Sequence, residues 1–599
     1  MKTYILIVLF TISLAALPAT TQPATAQTPV AQVPKHPDIC GSGTFLMSLG
    51  SQPLGRETFE IKCAGAPSDT RPSMKPGLAV TATGNTKMDV AGPPMDLTTT
   101  IQTDASGRQV ELTIKGPAGG QTLDQVITIK RPIGAHMDDK TPVVATVVNN
   151  GQSTQVPYNG GVLFVPNVTF TYQFLLARYE QAKGGPQKIP LFPQGDVTIE
   201  RTARDEVVPV GLVAGAPAAF NRYSLQLGPS TLILWSDDSG RVALLYSPAQ
   251  NIIVVREDLQ SFGGPLRAKL ASVKGLVPDY SAPVDAPFTA EEVKVKAKDL
   301  VLAGTLLVPK NAKGRVPAIV MSTGSGQQTR DSELNLPGLE QYRPFRQIAE
   351  AVASRGIAVL RADDRGVGES TGMSTLAKAT TLDFADDVRA QIAYLRSRPD
   401  IDPDRIAIVG HSEGGVIAPL VAASDKRVKA IVLLAATAKR GEDVLRFQLN
   451  YEIDNDPKST SEAREKKHKE TDAALRALLE GGADLSKYPQ IIRLLDGPWT
   501  RWFLKYDPLP TIRDVKQPIL IIQGALDRQV TADQATMLDE TARAAGHKDV
   551  ALTSFPNLNH MFLPAKTGAE SEYGSLNASQ IPDQVITAIA DWLEKKIKK

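Results

Sequence analysis

Ile406-Ala407-Ile408-Val409-Gly410-His411-Ser412-Glu413-Gly414-Gly415 is the stretch whose reading decides the fold. Four consecutive apolar residues, rich in β-branched side chains, read as a strand buried on both faces of a parallel sheet. The small apolar run from Gly414 to Ala423 reads as a helix. Between them, Gly-x-Ser-x-Gly makes a sharp strand-to-helix turn that lifts the Ser412 hydroxyl clear of the sheet at a helix N-terminus. The glycines are required because strand and helix approach too closely for side chains at 410 and 414. A chance glycine-rich turn has no reason to carry both flanks.

Outward from this turn the chain alternates strand and helix. Glu292 to Lys298 and Leu302 to Val308 read as a hairpin, and Val316 to Met321 as a buried strand. Helix Tyr342–Ser354, strand Ile357–Leu360, helix Leu382–Ser397 and strand Arg405–Val409 follow. Strands Val428–Leu434, Pro518–Gln523 and Asp549–Phe555 and a closing helix Pro582–Lys596 complete the series. Repeated β-α units imply a doubly wound, mostly parallel sheet with right-handed crossovers, here over residues 291–599. The charged, helical stretch 439–507 interrupts it and is expected to form a cap above the sheet edge where ligands bind.

A serine hydroxyl needs a base to act as a nucleophile near neutral pH, and the base needs an orienting acid. After an elbow of this kind the partners follow in the order acid, then histidine. The chain has six histidines. His36 and His136 lie far upstream, and His411 is locked beside the serine. His468 sits on the charged helix face Arg464-Glu465-Lys466-Lys467-His468-Lys469, and His547 in a polar turn. This leaves His560, which follows the last strand through Pro556-Asn557-Leu558-Asn559. The acid is expected after the preceding strand, where Gly524-Ala525-Leu526-Asp527 places Asp527. Two backbone N–H groups should hold the developing oxyanion: Glu413, and Ser325 in the loop Ser322-Thr323-Gly324-Ser325-Gly326. That loop fails as a phosphate cradle because it lacks a Gly-Lys-Ser/Thr ending.

From about Ala290 to the C-terminus, about 310 residues, the chain resembles the α/β-hydrolases, specifically serine hydrolases with an S9/S33-like core and a helical cap. The family's loop after the third strand commonly reads His-Gly-Ser-Gly, where this chain has Thr323-Gly324-Ser325-Gly326. Asp363-Asp364-Arg365-Gly366-Val367-Gly368-Glu369-Ser370 matches the family's D-x-R-G-x-G-x-S turn, which is structural there, so Arg365 receives no catalytic role. Pro498-Trp499, Arg501-Trp502-Phe503 and Tyr506-Asp507-Pro508 are similar to the return from cap to core, and Trp499, Trp502 and Phe503 are read as core or as lining of an acyl pocket. The resemblance implies hydrolysis of a small-molecule carboxylic ester through an acyl-enzyme, with no metal or organic cofactor. It also implies a second reading, a serine peptidase of the aminopeptidase or oligopeptidase kind, although no anchor for a peptide terminus is identifiable. A third reading is an inert, exported ligand-binding protein.

Residues 43–275 have a different character, with period-two apolar patterns at Thr58–Lys62, Val110–Lys115, Gln125–Lys130, Gly161–Tyr172, Asp196–Arg201 and Asn251–Arg256. Turns such as Asn149-Asn150-Gly151 and Asp237-Asp238-Ser239-Gly240 separate them. This predicts an all-β half-barrel or sandwich. Its opening, Gly43-Thr44-Phe45 with Leu54-Gly55-Arg56-Glu57-Thr58-Phe59, resembles exported half-barrel domains similar to lipoprotein-carrier folds. Residues 276–290, with Pro278, Pro283 and Pro287, read as the linker. Residues 1–26 read as a signal peptide: Met1-Lys2, an apolar run Tyr4–Leu17 too short for a membrane span, and Ala24-Thr25-Ala26 before the cut. A retained N-terminal anchor is the competing reading. Residues 27–42 are a Pro/Gln/Ala-rich lead. An exported, periplasmic or extracellular protein without a stable membrane span is expected. Its only two cysteines, Cys40 and Cys63, are then expected to pair rather than remain free buried thiols. Their number excludes a disulfide scaffold or a four-thiolate metal site. The 66 Lys and Arg against 64 Asp and Glu leave no basic excess for a nucleic-acid partner. The oligomeric state is not encoded in any of these features.

Overall fold

The computed structural model describes residues 40–598 apart from 50–51, 64–79, 89–94, 104–108, 119–120, 131–142, 164–167, 181–183, 193–194, 210–215, 228–229, 249–251, 274–278, 311, 334–338, 340–341, 377, 457–458, 481–496 and 577. The signal segment, most of the lead, His36, His136 and the first part of the linker lie outside the described residues. The chain divides into two compact units, one ending at Pro278 and one running from Asp279 to Lys599.

The first unit is built on one fifteen-stranded sheet. Alternation is plain where a strand has one buried face: along Val80–Met88 the residues at 80, 82, 84, 86 and 88 are buried, and those at 81, 83 and 87 are exposed. The hairpin turn at Asn150 and Gly151 uses positive φ at both residues, 46° and 83°, as a two-residue turn with right-handed twist requires. Strands run in chain order outward in two meanders, and the first strand (Gly41–Leu49) pairs antiparallel with the last (Ile252–Arg256) at the seam between them. Cys40 and Cys63 are joined by a disulfide, with their Cα atoms 6.0 Å apart.

The strand expected over Gly161–Tyr172 is a correction. Among the described residues of that span, Val162–Leu163 is extended, and a helix runs from Val168 to Glu180. Phe170, Leu175 and Leu176 are completely buried, and the Gln173 amide donates to Gly240 O at 3.0 Å and accepts from Val242 N–H at 2.9 Å. A helix buried on every side carries no 3.6-residue stripe, so its apolar run is indistinguishable from a strand by period.

The second unit is numbered by itself. Its eight strands are β1 (Phe288–Ala297), β2 (Leu300–Pro309), β3 (Val316–Ser322), β4 (Ala358–Ala362), β5 (Ile401–His411), β6 (Val428–Leu434), β7 (Ile519–Gly524) and β8 (Val550–Phe555). Their order in the sheet is β1-β2-β4-β3-β5-β6-β7-β8, antiparallel through β2/β4 and parallel from β4 onward. The central strands are buried on both faces, which is why they read as continuous apolar runs. Helices α1 (Pro344–Ser354) and α9 (Asp583–Ile597) cover one face, where Ile348, Val352, Ile589 and Leu593 meet Ile319 and Val409. Helices α2 (Thr381–Ser397), α3 (Gly414–Ser424) and α8 (Asp533–Ala544) cover the other, against Val320 and Ile408. Between β6 and β7 lie α4 (Gly441–Asp454), α5 (Ser461–Glu480), α6 (Pro498–Lys505) and α7 (Pro508–Asp514). Leu475, Leu478 and Leu504 give the first three a small core of their own, while Ile512 of α7 returns to the main core. The segment after Asp279 is fastened to this unit, because Arg346 donates to the carbonyls of Asp279 and Ser281. Among the described residues no helix is long and apolar enough to cross a membrane.

Candidate active site

The crossover reverses direction at β3, so the loops after β3 and β5 flank one crevice at the C-terminal edge of the sheet, the position where such sheets bind ligands. Ser412 leaves β5 with φ of +55°, a left-handed backbone that costs a serine about 1 kcal/mol. Two hydrogen bonds hold it there: Ser412 N–H donates to Leu434 O on β6, and Gly415 N–H donates to Ser412 O, both at 2.9 Å. A Cβ at Gly410 would sit 2.0 Å from the Gly414 carbonyl oxygen, and one at Gly414 would sit 2.2 Å from the Ser322 carbonyl oxygen. Any side chain at either position would break the elbow.

Asp527 follows β7 and is completely buried. Its Oδ1 accepts the backbone N–H groups of Gln529 and Val530, each at 2.8 Å. Its Oδ2 accepts from Gln523 Nε2 at 3.1 Å and lies 2.8 Å from His560 Nδ1. A carboxylate only accepts, so Nδ1 carries the proton and Nε2 keeps its lone pair. The turn holding His560 is itself clamped: Asn559 Oδ1 accepts the N–H groups of Met561 and Leu563 at 3.0 Å, and Tyr342 donates its hydroxyl to Met561 O. His411 joins the two halves of the site. Its Nε2–H donates to the His560 carbonyl at 3.0 Å, and the two rings lie 4.8 Å apart. Burial, together with the neighbouring His560 imidazole, pushes the His411 pKa down to about 3. Among the described residues Ser412 makes no hydrogen bond to His560; such contacts are often long until substrate arrives.

The loop after β3 abuts Ser412. A Cβ on Gly324 would lie 3.2 Å from Ser412 Cβ. Thr323, standing where the resembling family has histidine, donates its hydroxyl to Asp364 Oδ1 at 2.7 Å. Asp364 Oδ2 accepts Gln328 N–H at 3.0 Å, and Gln328 Nε2 donates to Ser325 O at 3.2 Å, so the loop bearing the Ser325 N–H is tied down on both sides. Arg330 anchors the loop's far end in the interior, pairing with Asp363 at 2.8 Å and Glu292 at 2.5 Å over the ring of Tyr280. Arg365 grips Asp387 with two bonds of 2.7 and 2.9 Å, a tie between the β4 loop and α2. Glu413 faces the other way: its buried carboxylate accepts from Thr381 Oγ1 at 2.7 Å and from Trp499 Nε1 at 2.6 Å. A small pocket lined by Thr323, Asp364, Gln391 and Ile417 lies between this loop, α2 and α3.

The other described histidines are engaged away from the site. His547 Nε2 donates to Gln517 O at 2.6 Å, and His468 lies 3.0 Å from the Asp454 carboxylate.

Residues 299–557 match the family X-Pro dipeptidyl-peptidase (S15 family). The C-terminal unit is a serine hydrolase of the α/β-hydrolase class. This removes the inert binding protein from consideration. The hydrolase is 26% identical over 193 residues to the putative hydrolase YtaP of Bacillus subtilis, covering 28% of this chain and 63% of that one. It is 33% identical over 144 residues to the thiohydrolase apmlB of Arthrinium phaeospermum, covering 24% and 42%. It is 32% identical over 154 residues to the quorum-quenching protein AidA of Acinetobacter baumannii, covering 25% and 43%. The chain thus spans about half the length of the curated relatives it matches. Among solved structures, the esterase Pf2001 of Pyrococcus furiosus aligns with 54% of this chain and 96% of its own at 17% identity and a TM-score of 0.36.

The structure brings Asp527 within 2.8 Å of His560, sets Ser412 at the strand-to-helix turn, and surrounds them with groups the sequence does not single out. Gln523 was legible as a polar residue ending the apolar run Ile519–Ile522. Asp364 was visible only as part of a turn, and Trp499 as one aromatic in a cluster. The Trp499 ring stacks on Phe503 with centroids 5.2 Å apart while its N–H reaches Glu413, so it serves both core and site.

Proposed function

We propose that this hydrolase cleaves carboxylic esters through an acyl-enzyme on Ser412, with His560 as base and Asp527 as its orienting acid. The observation that carries the reading is the 2.8 Å contact between His560 Nδ1 and a buried Asp527 carboxylate, which leaves Nε2 basic beside a serine elbow. His560 Nε2 takes the proton as Ser412 Oγ attacks the acyl carbon, and Asp527 stabilises the imidazolium that forms. The N–H groups of Glu413 and Ser325 receive the oxyanion. His560 then protonates the leaving alcohol, and a water molecule repeats the sequence to release the acid.

The match to an X-Pro dipeptidyl-peptidase family favours a second reading, a serine peptidase. The relatives named as a thiohydrolase and a quorum-quenching protein support small acyl substrates instead. A fluorophosphonate probe should label the protein and fail on Ser412→Ala; labelling that survives the substitution refutes the nucleophile. p-Nitrophenyl butyrate and Ala-Pro p-nitroanilide assayed side by side separate the readings, and cleavage of the anilide alone overturns the esterase.

Export belongs to the same proposal, supported by the N-terminal signal pattern and by the Cys40–Cys63 disulfide. For the first unit, one continuous sheet carrying a helix buried from Phe170 to Ala177 supports a half-barrel over a two-sheet sandwich.

A further inference from the structure

We infer that Glu413 is a positioning residue that ties the cap to the oxyanion site: the Trp499 indole of α6 holds its carboxylate, and through it the backbone N–H that receives the oxyanion. This rests on the reading of Ser412 as the nucleophile and of the Glu413 N–H as an oxyanion donor. It adds that the donor is in place only while the cap is seated.

Glu413 stands between the elbow and α3 and is only 3% exposed. A carboxylate removed from water in this way must be hydrogen-bonded. Its Oε1 accepts from two different parts of the unit. Thr381 Oγ1, at the start of α2, donates at 2.7 Å and belongs to the core. Trp499 Nε1, in the first turn of α6, donates at 2.6 Å and belongs to the cap.

The peptide that carries the donor is strained. Ser412 is left-handed, with φ of +55°, so the Ser412–Glu413 peptide would relax by rotating. Its carbonyl is held by Gly415 N–H at 2.9 Å. Its nitrogen side is held through the Glu413 side chain, whose pinned oxygen restrains the residue it belongs to. Releasing the carboxylate lets the N–H swing from the position the developing charge requires.

The far end of the tie moves with the cap. Trp499 stacks on Phe503 with the rings 5° from parallel, and Leu504 of the same helix packs with Leu475 and Leu478 of α5. Helix α4 approaches α6 so closely that a Cβ at Gly441 would lie 2.0 Å from the Phe503 carbonyl oxygen. The three helices therefore shift together, and a displaced cap withdraws the indole from Glu413.

The test reads the rate at which an ethyl fluorophosphonate probe labels Ser412 in the full chain. In that step Ser412 Oγ bonds phosphorus, fluoride leaves, His560 takes the proton, and the phosphoryl oxygen occupies the oxyanion position. Trp499→Phe keeps the ring and its stack and deletes the N–H. It should slow labelling about tenfold, less than the roughly 10²–10³ lost with a whole oxyanion donor. Glu413→Met should slow it as much, and adding Trp499→Phe to Glu413→Met should slow it no further. Glu413→Gln keeps an oxygen acceptor and should lose less than about threefold. The pH midpoint of labelling, set by the His560 base, should be the same in wild type and Trp499→Phe. A wild-type rate in Trp499→Phe, losses that multiply in the double variant, or a moved midpoint would overturn the inference. Failure of the wild type to label refutes Ser412 and the tie with it. The expected labelling pattern without hydrolysis of p-nitrophenyl butyrate removes the ester and leaves the tie standing.

Discussion

Lowering the pH from 7 to 5 should cost the hydrolase unit about 2 kcal/mol through His411 alone. The side chain is buried, donates Nε2–H to the His560 carbonyl and rests against the His560 ring. Protonating it would place a cation in a desolvated position beside the His560 imidazole. Its pKa is accordingly held near 3, against 6.5 for an ordinary histidine. The unfolded chain therefore takes up this proton first. The stability contributed by neutral His411 is complete above about pH 6.5 and is lost progressively as the pH falls toward 3. For a unit of this size about 2 kcal/mol corresponds to a fall of roughly 2–4 °C in Tm. Thermal unfolding of the full chain, followed by fluorescence of Trp499, Trp502 and Trp592, measures it at both pH values. His411→Gln keeps an amide donor for the His560 carbonyl and removes the titration, so it should lose about 2–4 °C less on acidification. An identical acid shift in wild type and variant would refute the reasoning.

Asp527→Asn should leave KM nearly unchanged and lower kcat by about 10⁴, because the amide no longer fixes the His560 tautomer; a loss under tenfold, read from initial rates, would remove Asp527 from its role. Gly414→Ala should abolish soluble, probe-reactive protein, since its Cβ meets the Ser322 carbonyl at 2.2 Å; wild-type labelling by the fluorophosphonate would contradict the elbow geometry. Cys40→Ser should destabilise the first unit by about 2–4 kcal/mol without changing ester turnover, as seen by calorimetry and initial rates on one preparation.

Most of the hydrolase fold is written in local pattern. Strands buried on both faces must be apolar throughout, and Val316–Ser322 and Ile519–Gly524 are. The elbow is legible because glycine is forced at 410 and 414 by backbone approach rather than by chemistry. Asp527 and His560 were reachable because chain order and strand ends limit the choices. The supports were not: Thr323–Asp364, Trp499–Glu413 and His411–His560 join residues far apart in sequence, and nothing local announces such pairs. The helix Val168–Glu180 reads as partly strand because burial of Phe170 to Ala177 on every side hides its period.

The pairing of strand Gly41–Leu49 with strand Ile252–Arg256 places the first and last strands of the first unit side by side, Phe45 opposite Arg256. More than two hundred residues leave the main chain and come back to nearly the same point. A sheet whose first and last strands are neighbours can be opened at another turn and re-joined there, with little loop-closure entropy to overcome.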